Sequence, residues 1–513
     1  MSAHLRLNQL INFLQAWQSK IPASAEIFPD PFSAGTGANT HLDSLRQASE
    51  ELSEAFRTLQ EVVDVVRISS SELAISYRTA QNSILPPMML PFEILGSIFE
   101  MACLPSAEPG KATAGANPTI TISKCRHTRL AIGASCSHFR QVLLNTPAVW
   151  SYISISMDYL ASTRPSDTLI PLEVARGKSS PVYLYVFDER AVPSEASRYW
   201  ETVKGSLYSL QRRLHTLAIV GNGSNADLPP LNFLSGDHLL PALKTLRITF
   251  REQLPMTYVD LRSAPALETF TITATGRSPP SILCHPISHI RELTIRGNVS
   301  VDTTLDLVAS CHQSLIKFQW LPEGGSHLYN LPIPSTMLQL SQLQELYLNN
   351  RFPMSLIKPA RFLMPNLSKL TLGRWTQIVN ENFDLGTICL PSLRIVDIGG
   401  DGFFGDAIKP FFRANPTIRE IVTGPSIRHV IQSLEDSDST VDEILPNLDR
   451  ISFANSSPYM NEALALFQLA RQRHRQFRVV FEAIPRDFDN RLLIEYGDIM
   501  LIEKITPSNV TWP

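Results

Sequence analysis

The chain has 513 residues, which is enough for roughly two to four domains with their own cores. Its 45 basic and 48 acidic side chains give a formal net charge of -3, so it lacks the basic surplus typical of a nucleic-acid-binding protein. The six cysteines show no paired spacing, which favours reduced thiols in the cytoplasm or the nucleus, and no apolar run is long enough to span a membrane. We therefore expect neither a nucleic-acid partner nor a membrane partner.

The first 82 residues predict helices. Residues 1–41 contain a short amphipathic helix and then a linker rich in proline and glycine. Residues 42–82 carry two apolar seams with a period of seven. One seam consists of Leu45, Leu52, Leu59, Val66 and Leu73, and the other contains Leu42, Phe56, Val63 and Tyr77 with Ser49 and Ser70 between them. This pattern is typical of a coiled coil and predicts homodimerisation through residues 42–80. The alternative is a long helix that folds back on the rest of the chain.

Residues 83–150 predict a small helical module. Pro91 suits the first turn of a helix, and Glu93 is favoured there by the helix dipole. Apolar residues then recur at helical spacing: Ile94, Leu95, Ile98 and Phe99. A loop is predicted from Pro105 to about Ser123, and a second helix from Thr128 to Leu144, with Pro147 unable to continue it.

Three groups of residues in this module carry a resemblance. They are Leu90-Pro91-x-Glu93-Ile94-Leu95-x-x-Ile98-Phe99, Cys136-x-His138-Phe139-Arg140 and Thr146-Pro147-x-Val149-Trp150. Over about seventy residues the segment resembles the F-box, and it is most similar to the large F-box-like families of mushroom-forming fungi. It departs from them in having Phe92 where proline is common, and in its long loop. The alternative is an ordinary helical hairpin within a larger helical domain.

The resemblance implies a three-helix module that binds a Skp-type adaptor and, through it, a cullin-RING ubiquitin ligase. The residues that it implies for adaptor docking form one set: Leu90, Pro91, Ile94, Leu95, Ile98 and Phe99.

Residues 151–210 predict two strands, Tyr152–Ser156 and Pro181–Phe187, and a helix over Glu195–Leu210. Residues 211–485 then repeat an L-x-x-L-x-L pattern ten times. The copies begin at positions 214, 243, 267, 290, 315, 343, 367, 393, 418 and 448, and six of them follow a proline two residues earlier. This spacing predicts an irregular leucine-rich-repeat-like solenoid, with unrelated strands of mixed α/β domains as the alternative.

The array is predicted to end with a helix over Glu462–Gln472 and a last strand over Phe477–Phe481, with residues 486–513 as a cap or tail. The expected fold is thus α/β (α+β overall), with an N-terminal coiled-coil and F-box-like module followed by the solenoid.

The residues between the inward apolar positions of each repeat would project from the concave face, where solenoids bind partners. They are Arg247, Thr271, Thr294, Gln319, Tyr347, Thr371 and Asp397. This set predicts a binding face for a target protein; the alternative is a set of merely solvated side chains.

No catalytic pattern is present: the chain lacks G-x-S-x-G, a phosphate-cradling G-x-x-x-x-G-K, H-E-x-x-H and a dinucleotide fingerprint. Cys125, His127, Cys136 and His138 straddle a loop and a helix, which disfavours a zinc site. We therefore expect no enzyme activity, no cofactor and no metal. The predicted function is substrate recognition for a Skp–cullin–F-box ubiquitin ligase. The alternatives are a non-catalytic scaffold with a vestigial F-box, and an enzyme whose site one sequence does not reveal.

Overall fold

The computed structural model shows a mixed α/β protein with a large parallel sheet. The residues that it describes are 12, 38–83, 89–104, 118–156, 169–188, 208–221, 239–250, 257–258, 261–275, 282–283, 289–322, 337–348, 362–373, 387–398, 408–424, 428–434, 444–453, 460–472, 477–481 and 495–502. The chain divides into two compact units, Met1–Ile98 and Phe99–Pro513.

The first unit contains a long helix, α1 (Ala38–Ser83), of 46 residues. It includes the whole predicted heptad segment and begins four residues before it. Its charged side chains pair along their own helix at a spacing of three or four residues. These pairs are Arg46–Glu50 (3.5 Å), Arg57–Glu54 (3.6 Å) and Arg67–Asp64 (4.0 Å). The helix and linker predicted before residue 38 lie outside the described residues, apart from Asn12.

The next helix, α2 (Phe92–Cys103), begins where the sequence predicts it. The Pro91 carbonyl accepts hydrogen bonds from the amides of Ile94 and Leu95, both at 3.1 Å. Pro91 therefore flanks the helix and needs no N–H of its own. The boundary between the two compact units falls inside this helix, after Ile98.

The second helical segment differs from the prediction. It forms two helices, α3 (Pro118–Ser135) and α4 (Ser137–Asn145), rather than one helix from Thr128. The predicted loop therefore ends by Pro118, and residues 105–117 lie outside the described part. Cys136 breaks the helix because its backbone is extended (φ -160°, ψ 168°) and its Sγ accepts a hydrogen bond from the Phe139 amide at 3.4 Å. The flanking serines favour such a break, since serine competes for backbone hydrogen bonds. A 3₁₀ turn follows over Pro147–Trp150.

The strands follow in chain order. They are β1 (Tyr152–Ser156), β2 (Val182–Asp188), β3 (Leu214–Gly221), β4 (Thr245–Phe250), β5 (Thr257–Tyr258), β6 (Thr269–Ala274), β7 (Ile282–Leu283), β8 (Glu292–Gly297), β9 (Lys317–Leu321), β10 (Leu338–Gln339), β11 (Glu345–Leu348), β12 (Phe362–Leu363), β13 (Lys369–Leu372), β14 (Ile395–Ile398), β15 (Glu420–Thr423), β16 (Arg450–Phe453), β17 (Arg478–Phe481) and β18 (Met500–Ile502). Fourteen of them form one parallel sheet in sequence order; β5 pairs with β7, and β10 pairs with β12.

Five further helices are described in the second unit: α5 (Leu169–Arg176), α6 (Val301–Cys311), α7 (Ile408–Ala414), α8 (Arg428–Leu434) and α9 (Met460–Gln472). The strands predicted before the repeats and the final helix are confirmed. Within the segment predicted as a cap or tail, β18 adds one more parallel strand beyond β17. The helix predicted over Glu195–Leu210 lies outside the described residues except at its last three positions.

All ten copies of the repeated motif coincide with strands of the large sheet. A turn precedes most of these strands, and its hydrogen bond runs from the amide of the first motif residue to the carbonyl three residues earlier, as from Leu243 to Leu240 at 3.1 Å. The prolines noted in the sequence occupy the second position of such turns: Pro241, Pro265, Pro365, Pro391, Pro416 and Pro446. The fixed φ of proline suits that position, which explains the spacing.

The core lies on one side of the sheet. In β4, for example, Leu246, Ile248 and Phe250 are buried, whereas the alternate residues Thr245 and Arg247 are half-buried on the other side. Equivalent buried residues from β1 to β17 belong to one continuous hydrophobic cluster. The alternate residues of the strands lie on the other side of the sheet, which we call the opposite face.

A buried ion pair joins α3 to α5 within the second unit. Arg129 is 2 % exposed, and its Nη2 lies 3.2 Å from Oε1 of Glu173, which is also buried. The Arg129 guanidinium also donates to the Val149 carbonyl at 3.3 Å and lies 5.4 Å from the ring of Trp150. Arg176 approaches the same ring at 4.7 Å. These contacts hold the helices against the start of the sheet.

We expect Glu173→Gln to lower the free energy of unfolding by about 3–5 kcal/mol, because it leaves the Arg129 charge buried without its carboxylate. The double variant Arg129→Met, Glu173→Leu should lose less, since it removes both charges. Glu268→Gln is the control: it breaks the exposed Lys244–Glu268 pair (3.7 Å) and should cost under about 1 kcal/mol. Urea unfolding measures all three. A Glu173→Gln variant as stable as the control would contradict a desolvated pair.

Gly297, at the end of β8, has a left-handed φ of +79°. A Cβ at this position would lie 1.9 Å from the Ala274 carbonyl oxygen of the neighbouring strand. That oxygen accepts a hydrogen bond from the Asn298 amide at 2.6 Å, so the two backbones are held together. Only glycine satisfies both requirements.

Gly297→Ala should therefore destabilise the second unit by at least about 2 kcal/mol, from the left-handed backbone and the clash together. Gly133→Ala is the matched control. A Cβ at Gly133 would meet only the flexible end of Leu143 at 3.3 Å, and alanine suits a helix better than glycine. Equal effects of the two substitutions on the urea midpoint would argue against this backbone geometry.

Candidate functional site

One candidate surface lies on α2 and the residues before it. Ile94 and Ile98 are spaced by four within α2, which places them on one face of the helix, and Leu90 precedes the helix; all three are exposed. Ile94 is 49 % exposed and Ile98 is 40 % exposed. Exposed isoleucines one turn apart form an apolar stripe, which we call the α2 stripe (Leu90, Ile94 and Ile98). Such a stripe can bind an apolar surface of another protein.

The remaining predicted docking residues differ in exposure. Leu95 is 2 % exposed and Phe99 is 5 % exposed. The Phe99 ring packs edge-on against the Phe139 ring, with centroids 5.1 Å apart. The prediction that Leu95 and Phe99 contact a partner directly is therefore corrected: their side chains are buried in this chain. Pro91 is exposed and supplies the carbonyl that starts α2.

A second candidate surface lies on the opposite face of the sheet. The strand register places all seven predicted target-binding residues in one continuous row. The row runs from β4 to β14 through Arg247, Thr271, Thr294, Gln319, Tyr347, Thr371 and Asp397. Neighbouring strands lie about 4.8 Å apart, so an extended partner could contact several of these side chains at once.

Four of the seven residues meet in a cleft of about 220 Å³: Gln319, Tyr347, Thr371 and Asp397. Arg247, Thr271 and Thr294 lie on earlier strands and do not line it. The cleft is shallow and polar, and Tyr347 supplies its aromatic side chain. It therefore offers hydrogen bonds and one ring to a ligand.

Charged residues that the sequence prediction missed complete the cleft. Lys317, Glu345 and Lys369 line it from neighbouring strands, in register with one another. The Nζ of Lys317 lies 3.4 Å from Oε2 of Glu345, and both side chains are partly exposed. Each residue stands two positions before a predicted one, on the same side of its strand. The period of two could have identified them.

Tyr347 is positioned by a glycine on the next strand. A Cβ at Gly373 would lie 2.7 Å from the Tyr347 hydroxyl oxygen and 3.3 Å from Cζ. The tyrosine ring therefore lies over Gly373, just beyond the end of β13. The three heavy atoms nearest to that Cβ all belong to Tyr347. No pattern in the sequence predicts this contact.

The opposite face is apolar at its first strands. Tyr152 and Tyr183 stack with centroids 4.6 Å apart and an angle of 9° between their planes. Tyr185 and Phe187 are buried on the same side. His215 lies 5.4 Å from the Tyr183 ring, and burial, together with Lys244, lowers the pKa of this histidine. The polar cleft and the aromatic cluster thus occupy different parts of one face.

The described cysteines offer no reactive thiol in the core. Burial raises the pKa of Cys103 to about 11 and that of Cys311 to about 12, so these thiols stay protonated near neutral pH. Among the residues with described positions, no group of three or more His, Cys, Asp or Glu side chains is placed to hold a metal ion. None of the described helices is long and apolar enough to cross a membrane.

No known protein family matches this sequence, and no curated protein matches it either.

Because Tyr347 contacts Gly373, we expect Gly373→Ala to change the free energy of unfolding in opposite directions in the wild-type and Tyr347→Leu backgrounds. Gly373→Ala alone should destabilise the protein by about 0.5–1.5 kcal/mol, because the tyrosine must leave its preferred rotamer. In the Tyr347→Leu background the same substitution should stabilise by about 0.4–1 kcal/mol, since the φ of Gly373 is not left-handed and alanine restricts the unfolded chain.

Urea unfolding of the four proteins measures this coupling. An equal effect of Gly373→Ala in both backgrounds would mean that the Tyr347 ring does not lie over Gly373.

Proposed function

We propose that this protein is a substrate-recognition subunit of a Skp–cullin–F-box ubiquitin ligase. Residues 83–150 would bind a Skp-type adaptor, and the sheet-bearing region would bind a target protein. The protein would perform no chemistry itself. It would raise the local concentration of the target at the ligase, which is a proximity effect. Such a role needs no cofactor.

The observation that carries this proposal is the exposure of the α2 stripe. A helix in a globular domain normally buries its apolar residues. Here α2 buries Leu95 and Phe99 but leaves Ile94 and Ile98 exposed. The exposed residues belong to the motif that resembles the F-box, and the resemblance implies that they dock an adaptor. Leu95 and Phe99 would then hold the helix in place while Leu90, Ile94 and Ile98 make the contact.

We further propose that the repeated strands form an irregular leucine-rich-repeat-like solenoid whose opposite face binds the target. The sequence order of fourteen parallel strands and the recurring turns support this. The cleft around Tyr347 is the part of that face best suited to contact a partner, because tyrosine is common at binding hot spots. Its mixed charges suit a polar protein segment rather than a polyanion. None of the described cysteines forms a disulfide, which fits a cytoplasmic or nuclear protein.

The alternative function is a scaffold with a vestigial F-box. That role would not require an exposed apolar stripe, and it would be favoured if Ile94, Leu95 and Ile98 were buried. Leu95 is buried, but Ile94 and Ile98 are exposed, and the exposure of these two supports the ligase proposal over the scaffold.

The test is co-purification of the full chain with a Skp-type adaptor from the same organism. We expect a stoichiometric complex with the wild-type chain. Ile94→Asp combined with Ile98→Asp should abolish it, because each aspartate would have to lose its hydration in an apolar interface. Isothermal titration calorimetry measures the loss, and circular dichroism checks that the variant remains folded.

Leu172→Asp serves as the matched control. Leu172 is similarly exposed at 45 % but lies on α5, outside the proposed docking face. This variant should bind the adaptor as the wild type does. If the wild-type chain forms no complex, or the double variant binds unchanged, the adaptor-docking proposal is wrong.

A further inference from the structure

We propose that α1 binds the α1 helix of a second copy of this chain, forming a parallel, in-register two-stranded coiled coil. This inference concerns residues before the α2 stripe and does not depend on the function proposed above. It rests on the exposure, charge pattern, length and polar layers of α1.

The apolar seam of α1 is exposed. We define the α1 seam as the two series of residues with a period of seven. The described apolar side chains that belong to it are Phe56, Leu59, Val63, Val66, Leu73 and Tyr77, and their exposed fractions lie between 43 % and 69 %. An isolated helix of this kind gains little stability without a packing partner.

The charge pattern of α1 is compatible with pairing between two identical helices. Its described ion pairs are formed within the helix, at Arg46–Glu50, Arg57–Glu54 and Arg67–Asp64. Partner choice in coiled coils is set largely by charged residues that flank the seam. Between residues 53 and 76, the flanking positions are Ser53, Ala55, Gln60, Val62, Arg67, Ser69, Ala74 and Ser76. Arg67 is the single charge among them, so two identical helices meet without a repulsive charge pattern.

The length of α1 is sufficient for a stable interface. Its 46 residues rise about 1.5 Å each, giving a helix about 69 Å long and about 10 Å wide. A contact strip of that size buries on the order of 700 Å² per copy, or about 1,400 Å² in total, which lies in the range of standard specific interfaces. The pair would therefore not need a further interface.

The serines within the seam select the orientation. Ser49 and Ser70 occupy the same series as Phe56 and Val63. In a parallel, in-register pair each serine faces its own copy, so that the hydroxyls form two polar layers. An antiparallel pair would place this series against the other one, and each serine would face leucine or valine. Polar residues within a seam are known to fix register in this way.

The test compares two double variants of the full chain by light scattering coupled to size-exclusion chromatography. The wild type should have twice the 57.2 kDa mass of the chain. Leu59→Asp combined with Val66→Asp places two charges in the seam and should reduce the mass to that of one chain. The matched control is Ile68→Asp combined with Ile75→Asp. These residues are also seven apart and exposed, at 53 % and 64 %, but lie off the seam, so the dimer should persist.

Orientation is tested by a cysteine in the seam. Leu73→Cys should give a disulfide-linked dimer under mild oxidation, because parallel register brings the two residues into one layer; Ile75→Cys should not. A monomeric wild type, or a dimer that survives the seam charges or is lost in the Ile68, Ile75 control, would overturn the proposed interface. A dimer without the Leu73→Cys crosslink would overturn the parallel register.

Discussion

The second unit depends on one constraint: a strand of the large sheet buries its apolar residues only if its neighbours are in register. A four-residue strand such as β11 places Leu346 and Leu348 in the core, and it is flanked by β9 and β13 on either side. Its backbone continues the same ladder, since the Gln344 amide donates to the Ile316 carbonyl and the Gln344 carbonyl accepts from Lys369. Strands this short have no independent stability. The core is therefore a property of the whole stack, and each turn that sets the register contributes to all of it.

This constraint also determines what the opposite face can do. Register that aligns the core residues necessarily aligns the alternating residues on the other side, so Gln319, Tyr347 and Thr371 become neighbours although they are far apart in sequence. A surface built this way can vary in composition, because its side chains do not enter the main core. The change from stacked tyrosines at β1 and β2 to a polar cleft at β9–β14 is an example of that freedom.

Much of this architecture could be predicted from the sequence, because the signals were local and repeated. The period of two, the spacing of the motif copies and the prolines of the turns identified the strands and the residues on their opposite face. The contacts that were missed join residues distant in sequence. Arg129 and Glu173 are 44 positions apart, and the position of the Tyr347 ring depends on Gly373 on another strand. The difference in burial among the apolar residues of α2 was missed for a different reason. Ile94, Leu95, Ile98 and Phe99 are all apolar, and their spacing does not show which side of the helix is buried.

The buried pair of Arg129 and Glu173 shows how the helices after α2 are fixed to the sheet. An apolar contact could be replaced by another of similar size, but a buried guanidinium needs its carboxylate in one position. Trp150, whose ring lies near both Arg129 and Arg176, also donates through its indole N–H to the Leu143 carbonyl at 2.9 Å, which restrains the end of α4. Most exposed large apolar side chains among the described residues lie on α1 to α4, whereas most of the described strand residues of this kind are buried or half-buried. Apolar surface left exposed on helices is the kind of surface that the proposed adaptor contact and the proposed helix pairing would cover.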